Sequence, residues 1–174
     1  MSEPPIRTLT ATWEDPAITA AQARQVSGLD FLRAIRAGSV PPPPFMRLLN
    51  FELVSVEEGR VSFAVIPAEH YYNPLGSVHG GLTSTLCDSA MGCAVHSTLP
   101  AGTGYTTVDL RVTFLRPVTI ATGRVICEAT TLHVGGRIAA AEARVFDTGG
   151  VLHAHATATC LLLRPVHTAP ATDA

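Results

Sequence analysis

The segment GGLTSTLCDSAMGCAVHSTL, residues 80–99, constrains this chain more than any other. It is the one long helical candidate in the body of the sequence. Leu82, Leu86, Ala90, Met91, Ala94, Val95 and Leu99 are spread round the helical wheel instead of forming one stripe. Gly80, Gly81, Gly92 and Cys93 keep the helix slim. A helix that is apolar on most sides is an enclosed one, so the rest of the body has to supply the wrapping.

The flanking sequence reads as that wrapping. Residues 52–57 and 60–67 form two strands about the turn at Glu58-Gly59, and four more follow at 106–114, 123–133, 137–147 and 152–163. In the first of these four, Val108, Leu110, Val112 and Phe114 alternate with Thr107, Asp109, Arg111 and Thr113. In the last, Leu152, Ala154, Ala156 and Ala158 alternate with His153, His155, Thr157 and Thr159. Period-two alternation marks a sheet with one covered and one wetter face. Gly135-Gly136 and Thr148-Gly149-Gly150 supply hairpin turns. The expected class is α+β, an antiparallel sheet of five to six strands curled round one long central helix.

Residues 1–44 have a different texture. Asp15 caps a short helix with Pro16 at its first position, ending near Gly28, and a second covers 29–36 before Gly38. Pro41 to Pro44 form a stiff linker. We read 1–44 as a helical arm packed on the body or a neighbour, 45–165 as the main domain opening with one helical turn at 45–49, and 166–174 as a frayed tail. With 47% hydrophobic and 15% charged residues, the chain is globular and rich enough in apolar surface for another subunit to cover some of it. A net charge of −2 leaves no footprint for nucleic acid or anionic lipid. MSEPPIRTLT lacks a signal-peptide pattern, and no apolar run reaches the roughly 18 residues of a membrane span. Cys87, Cys93, Cys127 and Cys160 are scattered, with no CxxC pair, as expected of buried thiols in a cytoplasmic protein without a zinc site.

Asp88 stands out against this background. A carboxylate in an enclosed helix needs compensation or a use. It pairs with a backbone group or with Arg111, or it serves as a base or nucleophile in a partly dry cleft. Gly80 and Gly81 open the same helix. Bare amides at a helix amino end can polarise a carbonyl and hold a developing oxyanion, or the glycines merely permit close packing. Eight residues of helix separate Gly80 from Asp88 by about 12 Å, whereas a reacting carbonyl must lie about 3 Å from both donor and attacking group. Two antiparallel copies of the helix across a two-fold axis meet both conditions, which favours a homodimer with two shared sites.

The pattern Asn73-x-x-Gly76-x-x-His79-Gly80-Gly81 with Asp88 eight residues after Gly80, together with TTVDLRVTFLRPV and VGGRIAAAEARVFDTGG, resembles the hotdog-fold acyl-CoA thioesterases of the phenylacetate-pathway type, relatives of 4-hydroxybenzoyl-CoA thioesterase. The similarity covers about 45–163. The resemblance implies hydrolysis of an acyl-CoA without a cofactor or metal, by at least a homodimer, with a homotetramer as the alternative. It implies Asp88 as nucleophile or general base and the Gly80 amide as the polarising donor. Asn73 would orient water or the leaving group, and Thr107, in preference to Thr106, would orient water or the carboxylate. His79 would stand beside the oxyanion site, with Gly81 next to it, and the CoA nucleotide would lie near Gly136 and Arg137.

Other readings are weaker. A Cys-His hydrolase built on Cys87 with His79 or His96 needs an accessible, electropositive thiol. His153 and His155 share a strand face but lack a third ligand for a metal. Arg111 and Arg116 contact a phosphate or pair with acids, and Tyr71 and Tyr72 line an acyl pocket or pack under a loop. A hotdog hydratase or dehydratase would want a His–acid pair, and a non-catalytic acyl-CoA-binding module would leave Asp88 without a purpose.

Overall fold

The computed structural model describes residues 4–164, so the expected tail at 166–174 lies outside the described residues. The turn and alternation signals produce six strands: β1 (Glu52–Glu57), β2 (Arg60–Val65), β3 (Gly104–Phe114), β4 (Val125–Val134), β5 (Ile138–Asp147) and β6 (Leu152–Leu163). They form one sheet in the order β1-β2-β4-β5-β6-β3, with every neighbouring pair antiparallel. The strand that follows the long helix thus crosses to the far side and becomes an edge.

Three short helices precede the sheet: α1 (Pro16–Ala23), α2 (Gly28–Arg36) and α3 (Pro44–Leu48). As read from the sequence, Asp15 caps α1, its Oδ1 accepting from Ala17 N–H at 2.8 Å. The amphipathic α2 buries Phe31, Leu32 and Ile35 in the same core as the main helix. Its Gly28 lies so close that an added Cβ would sit 1.8 Å from the His96 carbonyl oxygen, and the Gly28 N–H donates to Leu99 O at 3.0 Å.

The long helix α4 (Gly80–His96) packs on β2, β3, β4, β5 and β6, as an enclosed helix must. It ends three residues before the predicted Leu99. Ser97 Oγ donates to Ala94 O and accepts from Gly59 N–H, and Thr98 Oγ1 donates to Val95 O. These hydroxyls compete with the helical ladder and stop it. Beneath α4 the sheet presents Ala139, Ala141 and Ala143 from β5 and Ala154, Ala156 and Ala158 from β6, all nearly or fully inaccessible. That floor of small side chains lets the helix lie close. Leu86, Met91 and Val95 are fully buried against it, each stabilising the fold by about 1.5–3 kcal/mol.

Two bulges correct the simple alternation. β3 pairs with β6 through Thr107↔Cys160 and then Asp109↔Thr159, leaving Val108 as an extra residue. Unbroken alternation puts Thr107 on the face opposite Leu110 and Val112; the bulge turns it to their side, toward α4. β5 pairs with β6 through Val145↔Ala154 and then Phe146↔Leu152, leaving His153 as the extra residue. His153 is therefore buried beside Ala154, not on the wetter face with His155. Tyr71 and Tyr72 pack the loop before α4: Tyr71 Oη donates to Leu49 O at 2.7 Å and Tyr72 Oη accepts from Ile120 N–H at 2.9 Å. No helix among the described residues is long and apolar enough to cross a membrane.

Candidate active site

The loop leading into α4 is shaped by Asn73. Its Oδ1 accepts from Leu75 N–H at 2.9 Å and from Ser77 N–H at 3.3 Å, and its Nδ2 donates to Ser77 Oγ at 3.1 Å. One Nδ2 hydrogen remains for a ligand. At the helix start His79 is the N-cap, with Nδ1 accepting from Gly81 N–H at 2.9 Å. His79 thereby carries its proton on Nε2, and the Gly81 amide, expected beside the ligand, is used within the fold. Among the described residues nothing accepts from Gly80 N–H. This amide also gains from the partial positive charge of the helix end.

Gly80 opens onto a cavity of about 340 Å³ whose lining includes Asn73, Ser77, Phe114, Arg116 and His153. The Phe114 ring rests against Gly80, and an added Cβ there would stand 3.0 Å from Cζ. A side chain at 80 would fill the approach to the amide. Arg116 is not aimed at an acid: its Nη1 donates to Leu152 O at 2.8 Å.

Asp88 lies two turns further along α4, half-buried at the helix flank facing β3 rather than in the centre of the core. Its partner is neither Arg111 nor a backbone group. Thr107 Oγ1, brought inward by the bulge, donates to Asp88 Oδ1 at 2.8 Å. The other carboxylate oxygen has no hydrogen-bond partner among the described residues. Thr106, its exposed neighbour, faces away. Asp88 and Thr107 do not line the Gly80 cavity, so the chain carries two separate sets: Gly80 with Asn73, and Asp88 with Thr107.

Gly136 and Arg137 sit in the exposed turn between β4 and β5. The Arg137 carbonyl accepts from Leu162 N–H at 2.8 Å, which fixes this turn at the Cys160–Thr107 end of the sheet. The thiols are poor nucleophiles. Cys87 is fully buried with its sulfur 4.0 Å from that of Cys127, and burial, together with the Asp88 charge, pushes the Cys93 thiol up to about 12. His155 pairs with Glu142 and His153 with Asp147, each at 3.4 Å, and no group of three or more metal-ligating side chains occurs among the described residues. Sequence reasoning missed His153 as a cavity residue because strict alternation assigns it to the other face; no local signal announces a bulge there.

A six-stranded antiparallel sheet wrapped round one buried helix, with the helix amino end opening on a cavity, is the hotdog architecture. A crystal structure of a phenylacetic acid degradation-related protein of Ralstonia eutropha, described as a candidate thioesterase, superposes with a TM-score of 0.68 at 26% identity, over 75% of this chain and 98% of that one. Residues 75–154 match the family described as the thioesterase superfamily. A Halobacterium salinarum protein named as a candidate esterase is 36% identical over 118 residues, 63% of this chain and 76% of its own length. Human acyl-coenzyme A thioesterase 13 is 34% identical over 91 residues, 52% of this chain, and the match spans 61% of the human protein. The chain belongs to the thioesterase superfamily and is a thioester hydrolase.

Proposed function

We propose that this protein hydrolyses acyl-CoA thioesters at two equivalent sites shared across a homodimer. The observation that carries the reading is the Thr107–Asp88 hydrogen bond, which anchors one carboxylate oxygen and leaves the other free to act as a base. The substrate carbonyl oxygen rests on Gly80 N–H. Asp88 of the other subunit takes a proton from water as the hydroxide adds to the carbonyl carbon, or adds through the same free oxygen itself. In the second case loss of the thiolate leaves a mixed anhydride on Asp88 that water hydrolyses, freeing the carboxylate and supplying the thiol proton. The oxyanion is held by the Gly80 amide and the helix end. Its collapse breaks the C–S bond, and the thiolate takes up the proton. Asn73 orients water or the leaving group through its remaining Nδ2 hydrogen, and His79 keeps the loop and the helix start in place.

The edge strand supports the shared arrangement. β3 spans eleven residues, carries exposed Val108, Leu110 and Phe114, and has one unpaired side. Such an edge is a template for pairing with a second copy. Antiparallel pairing of β3 with its symmetry mate about residue 109 sets Phe114 opposite Gly104. That brings the Gly80 cavity of one protomer to the Thr107 end of the other, where Asp88, Gly136 and Arg137 lie. The CoA nucleotide lies on that turn, and the name of the human relative agrees with a CoA thioester as substrate. We assign the protein to the cytoplasm.

Thiol release from a panel of acyl- and aryl-CoAs tests this. Asp88→Asn, nearly isosteric, is expected to lower kcat by about 100-fold or more with little change in KM or thermal stability. Equal rates for wild type and variant would overturn the assignment.

A further inference from the structure

Most of the hydrogen-bond donors at the start of α4 are already used. Gly81 N–H donates to His79 Nδ1 at 2.9 Å and Leu82 N–H to His79 O at 3.0 Å, which leaves Gly80 N–H for a ligand. A carbonyl oxygen that gains a full charge has lone pairs for more than one donor, and each preorganised donor counts. Ser84 cannot be the second, because its hydroxyl proton goes to Gly80 O at 3.0 Å. Ser97 and Thr98 spend theirs on the other end of the helix in the same way. Thr83 does not: its Oγ1 has no hydrogen-bond partner among the described residues.

Thr83 is only 8% exposed, and it lines the cavity together with Gly80 and Asn73. A buried hydroxyl without a partner is costly unless something in the adjoining space completes it. Among the described residues, the unpartnered side-chain atoms sealed inside the protein belong to Thr131 and His153, so Thr83 Oγ1 keeps an opening. The space at that opening is the cavity. Thr83 stands three residues after Gly80, on the same side of α4 and about 4.5 Å further along its axis. Helical side chains lean toward the amino end, which carries this hydroxyl back over the Gly80 turn. One oxygen atom can therefore rest on both donors. We infer that Thr83 is a catalytic residue whose hydroxyl donates to the substrate carbonyl oxygen beside Gly80 N–H. As the nucleophile adds to the carbonyl carbon, the π pair moves onto that oxygen, and both donors close on it. On collapse the pair returns and the C–S bond breaks, and Thr83 keeps its proton throughout. This rests on the thioesterase reading and adds a side chain to its oxyanion site.

The test measures thiol release from an acyl-CoA that wild type hydrolyses, using Thr83→Val, which keeps the shape of the side chain and loses the donor. Its kcat is expected to fall by about 100-fold with KM nearly unchanged, and Thr83→Ser is expected to recover most of the rate. If the valine variant fails to fold, Thr83→Ala serves the same comparison. Two inhibitors separate the carbonyl contact from packing. A trifluoromethyl ketone analogue of the acyl-CoA, which takes up water to form a tetrahedral centre, is expected to bind Thr83→Val about 100-fold more weakly than wild type. An S-alkyl-CoA thioether, which has no carbonyl oxygen, is expected to bind both proteins alike. An unchanged kcat in the valine variant, or equal weakening of both inhibitors, overturns the inference while leaving thioester hydrolysis standing. No hydrolysis of any thioester by wild type overturns the underlying reading instead.

Discussion

Thr107 sets the orientation of the Asp88 carboxylate by a single hydrogen bond, at 2.8 Å. Thr107→Val keeps the shape of the side chain and removes the donor. Its expected effect is a fall in kcat of about tenfold, the worth of one hydrogen bond to a charged group, with KM nearly unchanged. Thr107→Ser is expected to restore most of the rate, since the hydroxyl returns. A rate unaffected by the valine would show that Asp88 needs no anchor. The residue type was readable in the sequence, but its direction was not: a threonine in an alternating strand points wherever the pairing register sends it.

At the scale of the element, the sequence carried most of the fold. The enclosed character of residues 80–99 implied a wrapped helix, and the turns at Glu58-Gly59, Gly135-Gly136 and Gly149-Gly150 cut the strands within a few residues of their observed ends. The bulges at Val108 and His153 were hidden because they answer to the pairing partner, not to local composition. The early end of α4 depended on Ser97 finding Gly59, 38 residues away. The junction of α2 and α4 yields two predictions. Gly28→Ala places a methyl group 1.8 Å from His96 O and is expected to cost about 1–3 kcal/mol in chemical denaturation, with a similar m-value. His96 packs between the rings of Phe31 and Tyr105, and burial holds its imidazole below the ordinary 6.5. The native state therefore resists a proton that the unfolded chain accepts. Stability is full above the unfolded value and erodes as pH falls through it. The urea midpoint is expected to drop between about pH 7 and about pH 5, and to drop less in His96→Leu. Equal slopes in the two proteins would assign the loss to other groups.

At the scale of the whole molecule, sharing can be tested by mixing. Gly80 occupies the first position of α4, where proline is well accepted, so Gly80→Pro removes the N–H without stopping the helix. Alone, Gly80→Pro and Asp88→Asn are each expected to be nearly inactive. Unfolded and refolded together in equal amounts, they are expected to recover about a quarter of wild-type activity, since half the dimers are mixed and each mixed dimer holds one intact site of two. No recovery would place both groups in sites completed within a single chain. The proposed site rests on residue types readable in the sequence, and its proposed division between chains rests on a distance argument along α4.

The alanine floor beneath α4 acts as a spacer as much as a core. Its thickness sets how far Asp88 stands from the sheet and so from whatever rests on the facing cavity. A methylene added at Ala141 or Ala156 would lift the helix by a fraction of an ångström, and in the proposed dimer both copies would be lifted at once. In this architecture, tolerance to such drift is governed by reaction geometry before it is governed by cohesion.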